Sequence, residues 1–292
     1  MKALIVGYGS AGQKHFKSIK KIQKVKHIKI FSSLNVSKKY KIEKKDIPSY
    51  NPDYAVIANS TKKHFEILNF LNNKLNNKLI LVEKPIFHKK LNFKQKNKNK
   101  IFVGYNLRFN PVVNYLKNSI KNKKINHINI NCRSNLKTWR KNIEYSKSNT
   151  AEKRGGGALL ELSHELDYFK YIFGEYKIVF KIKKKLSNLK IKNEDFYQLN
   201  GFSKNIKFFN IYVNLFDQIK ERRIDILTNS ELIVCDLNKN IVKIIKDNKT
   251  KIIKLKKINT FDAQHQQLLS KNYNKICKLH DGLNVLKIID SF

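Results

Sequence analysis

The stretch "ALIVGYGSAGQKH", residues 3–15, decides the fold. Residues 3–7 form a short apolar run of the kind buried in a parallel sheet. Glycines at 7, 9 and 12 give the spacing GxGxxG. Gly7 permits a tight turn, Gly9 lets the backbone approach a pyrophosphate, and Gly12 lets a helix pack closely on the strand. The residues between and after them, Tyr8, Ser10 and Ala11, lie at a helix N-terminus, whose N–H groups favour phosphate oxygens. A lone GxGxxG is a weak signal. Here it follows a strand and opens a helix, which is the context a dinucleotide site requires.

Outward from this loop, strands and helices alternate. "FKSIKKIQ" has helical spacing at Phe16, Ile19 and Ile22. "HIKIFSS" (27–33), "DYAVIANS" (53–60), "KLILVEKP" (78–85) and "KIFVGYN" (100–106) read as further strands. "TKKHFEILNFLNNKL" reads as an amphipathic helix with Phe65, Leu68 and Leu71 on one side, capped by Ser60 or Thr61. Such alternation implies an α/β unit, a doubly wound parallel sheet with right-handed crossovers. Beyond about residue 120 the pattern changes to successive short strands: "INHININ", "YKIVFKIKKKL", "DFYQLNGFS", "IKFFNIYVNLFD", "ERRIDILTN", "ELIVCDL" and "IVKIIKD". These predict a largely antiparallel open sheet in an α+β domain. One helix, 158–174, interrupts the strands, and two more close the chain near 262–278 and 281–290. The expected division is a Rossmann domain at 1–120 and an α+β substrate and oligomerisation domain at 121–292.

The end of the second strand bears on the choice of cofactor. NAD sites carry an acid there for the ribose 2′-hydroxyl. Here Ser32 and Ser33 stand at that place with Lys38 and Lys39 nearby, which suits a 2′-phosphate and favours NADP modestly over NAD. Asn59, Ser60, Thr61 and His64 follow the third strand, where a nicotinamide-side loop would lie; an N-cap and a surface histidine are the competing reading. "LVEKPIFHKK" (81–90) places Glu83, Lys84 and Pro85 at the end of the fourth strand. Proline cannot continue a central strand, so the chain leaves the sheet with a lysine beside a rigid turn. In "RGGGALLELSHELDYFKYIFG", three glycines allow close backbone approach, and Glu161, His164 and Asp167 fall three apart on one side of the expected helix.

These segments occur in order: "GYGSAGQKH", "DYAVIANSTKKHFEI", "VEKP", "VGYNLRFNP" and "GGGALLELSHELDY". Together they closely resemble the glucose–fructose oxidoreductase / inositol dehydrogenase (Gfo/Idh/MocA) family, over most of residues 1–175. The resemblance implies a nicotinamide-dependent oxidoreductase acting on a sugar, cyclitol or sugar-acid derivative. It also implies a homo-oligomer, dimer or tetramer, joined through the C-terminal sheet. The lysine of "EKP", here Lys84, would lie between nicotinamide and substrate, where an ammonium can stabilise developing alkoxide charge. Glu83 would shape its turn. His164 matches the family's catalytic histidine and Asp167 its following aspartate, a pair suited to proton exchange with a hydroxyl. The commonest pattern has an aspartate four residues before the histidine; this chain has Leu160 there and Glu161 one place later, so either Glu161 or Asp167 is the partner carboxylate. Asn106 and Arg108 would flank the substrate, Arg108 pairing an anion or bracing a joint. Trp139 and Arg140 of "LKTWRKNIEYS" would lie near the substrate mouth.

Composition sets the rival readings. The net charge is +39, which raises nucleic-acid or anionic-surface binding. Only six of the 61 basic residues are arginine, however, and the lysines are spread along the chain. Arginine carries bidentate phosphate and guanine recognition, so specific nucleic-acid binding is disfavoured. A cofactor-binding sensor without turnover is the other alternative. The N-terminus lacks a secretory pattern, and no run of about 18 apolar residues predicts a membrane span. Three scattered cysteines argue for a reducing, cytoplasmic setting and against disulfides, and the eight histidines show no metal-ligand spacing.

Overall fold

The computed structural model describes residues 1–121, 123–139 and 144–292. The chain separates into two compact units, 1–106 with 259–290, and 107–258 with 291–292. In the first, β1 (Lys2–Val6) leads through the glycine loop into α1 (Ser10–Lys20) and β2 (His27–Phe31). A one-turn α2 (Ile47–Tyr50) precedes β3 (Tyr54–Ile57). Then come α3 (His64–Lys74), β4 (Leu79–Val82) and β5 (Lys100–Val103). The strands pair in parallel in the order β2-β1-β3-β4-β5. Residues 3–6 of β1 and all of β3 are buried, as strands covered on both faces must be. The order reverses direction between β1 and β3, and an open α/β sheet binds ligands at the strand C-terminal ends beside such a switch point. α1 buries Gly12, His15, Ser18 and Ile19, and stops before Ile22. Of the expected Phe16–Ile19–Ile22 stripe only Ile19 is buried in the helix, and the rest of its inner face is two small residues and a histidine. A glycine there lets the helix sit lower on the sheet than larger residues would.

The second unit contains α4 (Pro111–Ser119), β6 (Ile125–Asn135), α5 (Ala158–Glu161) and α6 (His164–Phe173). Seven strands follow: β7 (Lys177–Lys184), β8 (Phe196–Ser203), β9 (Ile206–Asn214), β10 (Phe216–Leu227), β11 (Leu232–Asp236), β12 (Ile241–Lys246) and β13 (Lys249–Lys254). The sheet order is β13-β12-β11-β10-β6-β9-β8-β7, antiparallel except for the β6–β9 pair. Its inner face carries Ile128, Ile130, Leu199, Phe209, Ile211 and Ile224, all fully buried. On the opposite face Asn210 joins neighbouring strands, donating to Asn129 at 2.7 Å and accepting from Asn200 at 3.0 Å and Gln198 at 2.9 Å.

The chain then returns to the first unit. Asn259 accepts from the amides of Phe261 and Asp262 and so caps α7 (Thr260–Leu269), which packs on α1. β14 (Cys277–Lys278) pairs antiparallel with β5, and α8 (Leu279–Asp290) lies against the same strand. A Cβ on Gly282 would stand 2.4 Å from Val103 Cγ2, so α8 approaches β5 as closely as it does only because residue 282 is glycine. These units differ from the expected 1–120 and 121–292 division in two ways. α4 belongs with the second unit, where it packs on α6 and where Asn110 donates to the Leu237 carbonyl. Residues 259–290 belong with the first, because β14, α7 and α8 bury their apolar faces there. No helix among the described residues is long and apolar enough to cross a membrane. The three cysteines are buried, and none forms a disulfide among the described residues.

Candidate active site

In the first unit the glycine loop separates its three roles. Gly7 has φ +91°, and a Cβ there would lie 2.5 Å from the Asn59 amide nitrogen, where the ends of β1 and β3 meet. A Cβ on Gly12 would lie 2.1 Å from the Gly7 carbonyl oxygen, so α1 is seated directly on the loop. Gly9, the N-cap of α1, has nothing within 4 Å of its Cβ position. Its absent side chain leaves open space in front of a helix N-terminus. The rings of Tyr8 and Phe16 meet edge to face. Beside the loop lies a cavity of about 620 Å³ lined by Gly7, Ser32, Ser33 and Asn59. The Asn59 side-chain oxygen is buried there without a hydrogen-bond partner among the described residues, an acceptor a bound group could satisfy. The cavity's charged lining is Lys41, Lys44 and Lys63 with Glu43 and Glu66, and not Lys38 or Lys39. Lys44 is paired with Glu66 at 3.0 Å, and Lys41 lies 3.5 Å from Glu43.

His64 has another place than a loop facing a cofactor. It is 1% exposed, and its ring nitrogens lie 3.0 Å from the Pro85 carbonyl and 3.1 Å from that of Asn59. It ties the end of β3 to the turn after β4. Burial pulls its pKa below the usual imidazole value, against the opposing pull of those carbonyls. Thr61 opens a single 3₁₀ turn ahead of α3, and Ser60 precedes it.

At the end of β4, the Glu83 amide donates to the Ile57 carbonyl and continues the sheet for one more bond. The Glu83 carboxylate turns back under its own chain. Its Oε2 accepts from the Lys84 amide at 3.1 Å, and its Oε1 lies 2.7 Å from His15 Nε2. Burial raises the Glu83 carboxyl, but the hydrogen bond from His15 and the charge and amide of Lys84 outweigh it and hold its pKa below the ordinary value. Lys84 itself is half-buried. His15 Nδ1 in turn lies 2.8 Å from His265 Nε2, and His265 Nδ1 lies 2.8 Å from the Tyr54 hydroxyl. Sequence reasoning missed His15, His265 and Tyr54. The three-residue step from Gly12 to His15 put a histidine on the helix's inner face; nothing local marked His265. Asn106 is 8% exposed and donates to Thr260, holding the start of α7.

In the second unit the expected 158–174 helix is two helices. α5 ends at Glu161, Leu162 and Ser163 form a turn, and α6 begins at His164. The Tyr197 hydroxyl, fully buried, donates to the Leu162 carbonyl at 2.9 Å. A strand residue thus takes a carbonyl that a continuous helix would have used itself. Glu161 therefore does not share a helix face with His164 and Asp167; it accepts from the Thr150 hydroxyl at 3.1 Å. Asp167 is 1% exposed and holds Arg108 in a fork, with contacts of 2.7 and 2.9 Å. Arg108 is 5% exposed and stacks over Tyr171, which gives it the bracing place rather than an open anion site. Glu165, fully buried, lies 2.8 Å from Arg222 of β10. Two acids of α6 are thus tied to arginines, which fixes the turn on which half-buried His164 stands. Trp139 donates its indole N–H to Ser134 at 2.9 Å. Arg140 lies outside the described residues.

The chain superposes along nearly its whole length on solved oxidoreductases. The UDP-N-acetylglucosamine 3-dehydrogenase GnnA from Acidithiobacillus ferrooxidans matches with a TM-score of 0.79 at 15% identity, over 99% of this chain and 95% of that one. An oxidoreductase from Thermotoga maritima matches with a TM-score of 0.82 at 15% identity, over 100% and 95%. This chain has the fold of these oxidoreductases. The WlbA dehydrogenase from Bordetella pertussis, solved in complex with NADH and UDP-GlcNAcA, matches with a TM-score of 0.74 at 15% identity, over 99% and 94%. No family model and no curated protein sequence matches the chain. At such identities the likeness is one of fold, and the chemistry rests on the residues.

Proposed function

We propose that this chain is a nicotinamide-dependent oxidoreductase that moves hydride to or from a carbinol carbon of a sugar, cyclitol or sugar-acid derivative. The observation that carries the reading is the open face of Gly9 between two glycines that are themselves packed against backbone. A pyrophosphate can approach there without meeting a side chain, at the N-terminus of α1 and at the sheet's switch point. Gly7, Tyr8, Gly9, Ser10, Ala11 and Gly12 form its cradle, and Asn59 offers an unsatisfied acceptor beside it. Ser32, Ser33 and Lys41 line the cavity at the end of β2; no acid directly follows that strand, and the two acids of the lining, Glu43 and Glu66, are each paired with a lysine, so NADP should bind at least as well as NAD. The bound cofactor supplies the carbon that accepts or donates hydride.

Lys84 and His164 supply the rest of the chemistry in this proposal. Lys84 places an ammonium on the reacting oxygen and stabilises negative charge developing there. His164 exchanges the hydroxyl proton. Asp167, held by Arg108, fixes the helix that carries His164 rather than relaying its proton. The substrate class is supported by the names of the matched proteins: a UDP-N-acetylglucosamine 3-dehydrogenase, and a dehydrogenase holding NADH with UDP-GlcNAcA. A homo-oligomer through the C-terminal sheet is part of the same reading. Phe180, Phe208, Leu227 and Ile252 are 42–55% exposed on the face that bears the asparagine cluster. The test is a fluorescence titration with NADPH and NADH, followed by a turnover screen over sugar acids, cyclitols and nucleotide sugars. Saturable binding and turnover of at least one class are expected. A strong NADH preference would overturn the Ser32–Ser33 reading, and no binding of either nucleotide would overturn the whole.

A further inference from the structure

Behind Lys84, four side chains from four elements of the first unit form one buried hydrogen-bonded row: Tyr54, His265, His15 and Glu83. Three are 0% exposed and Glu83 is 9% exposed. Phe261 packs its ring 5.0 Å from that of His15. The row ends on the Lys84 amide, to which Glu83 offers its second oxygen. We propose that Tyr54, His265 and His15 are positioning residues, which hold the Glu83 carboxylate in one orientation and one charge state and thereby fix the Lys84 turn. The role of Lys84 rests on the function proposed above; the row itself does not.

The proton positions follow from the partners. An ionised Glu83 only accepts, so His15 Nε2 carries a proton. Burial pushes His265 well below the usual imidazole value, so His265 is neutral and has one ring proton. Burial, with Glu83 second, pushes Tyr54 well above the usual phenol value, so its O–H is intact. If Tyr54 donates to His265 Nδ1, the His265 proton sits on Nε2 and donates to His15 Nδ1. His15 Nε2–H then donates to Glu83, and every donor in the row meets an acceptor. The reverse order needs one more proton on His15 and leaves the Tyr54 proton without a place in the row. A carboxylate fixed from one side by this row and from the other by a backbone amide has little rotational freedom. An unconstrained glutamate could swing away and leave the amide unpaired.

The Lys84 amide is therefore a reporter, readable by NMR of lysine-labelled protein and assigned with Lys84→Arg. Tyr54→Phe removes one oxygen, four hydrogen bonds away from that amide, and keeps the ring. His265→Gln keeps a polar bridge, and His265→Phe removes it. In Tyr54→Phe and His265→Phe the Lys84 amide signal should shift and its exchange with solvent should quicken roughly three- to tenfold, the range one hydrogen bond spans. His265→Gln should restore most of the protection. Tyr50→Phe, which removes a hydroxyl from the same unit outside the row, should leave the signal in place. On a verified substrate, Tyr54→Phe should lower kcat several-fold while KM for the cofactor stays put. An unmoved Lys84 amide in a folded Tyr54→Phe protein would overturn the row as a unit. A moved amide with unchanged kcat would overturn its positioning role. The amide measurement needs neither cofactor nor substrate, so it stands even if the wild type turns nothing over.

Discussion

Alanine placed at Gly9 and at Gly12 should have opposite consequences, although both are glycines of one loop. At Gly12 the new Cβ would stand 2.1 Å from the Gly7 carbonyl oxygen, against an ordinary contact of 3.4 Å or more. α1 would have to withdraw by more than 1 Å from the sheet on which it buries His15, Ser18 and Ile19. Overpacking of this kind costs about 1–3 kcal/mol, and a backbone atom as the obstacle favours the upper end. For a chain of this size, about 3 kcal/mol corresponds to a fall in Tm of roughly 6–12 °C. At Gly9 the Cβ meets nothing within 4 Å, and the backbone φ of −71° suits any residue. Gly9→Ala should therefore leave Tm within about 1–2 °C, the span of an unobstructed surface change. Its methyl would instead occupy the approach path of the pyrophosphate. Crowding worth about 1–3 kcal/mol would weaken NADPH binding by roughly 5- to 150-fold. Scanning calorimetry and isothermal titration on both variants read the two effects separately. If Gly9→Ala binds NADPH as the wild type does, or loses as much stability as Gly12→Ala, the division of labour within the loop is wrong.

Arg108→Met should cost about 3–5 kcal/mol in denaturant unfolding, because it leaves the Asp167 carboxylate buried without its guanidinium. Adding Asp167→Leu should recover more than half of that loss. Glu83 has a folded-state pKa below its unfolded value, so its contribution is complete at pH values above about 4.3 and disappears as pH falls through the folded value. The stability gap between wild type and Glu83→Gln should thus be widest near neutrality and close in acid, as Tm measured against pH will show. Lys84→Ala should lower turnover by several orders of magnitude with cofactor affinity retained. His164→Ala should cost roughly 10²–10⁴-fold and remove one limb of the pH–rate profile. The double variant should lose much less than the product of the two, since residues acting as a unit are non-additive. Steady-state kinetics over a pH series checks all three.

The glycine loop and the strand and helix that flank it were legible because their reasons are local: an apolar run, three glycines and a helix, all within 20 residues. The place of Lys84 just past the end of β4 was legible for the same reason, a lysine next to a proline at a strand end. The break ahead of His164 was not, since the group that takes the Leu162 carbonyl is Tyr197, a strand residue 35 positions away. Nor was His265, whose partner His15 is 250 positions distant. β13 went unread because "KTKIIK" lies at a sheet edge, where all but one of its residues are exposed and no apolar alternation is needed. Residues 259–290 were assigned to the wrong unit because periodicity shows that a helix has an apolar face, not which sheet covers it.

Hydride transfer can be followed directly. Wild-type and Lys84→Ala proteins would each be incubated with NADPH deuterated at its hydride-bearing carbon and with a panel of keto-sugars, keto-acid sugars and oxidised cyclitols. Mass spectrometry then looks for deuterium in the alcohol products. The expected result is one deuterium per turnover on a carbinol carbon for the wild type, and a product yield lower by orders of magnitude for Lys84→Ala. Bound NADPH that delivers no deuterium to any member of the panel, or equal labelling by the Lys84→Ala protein, would contradict the proposed oxidoreductase and its assigned lysine.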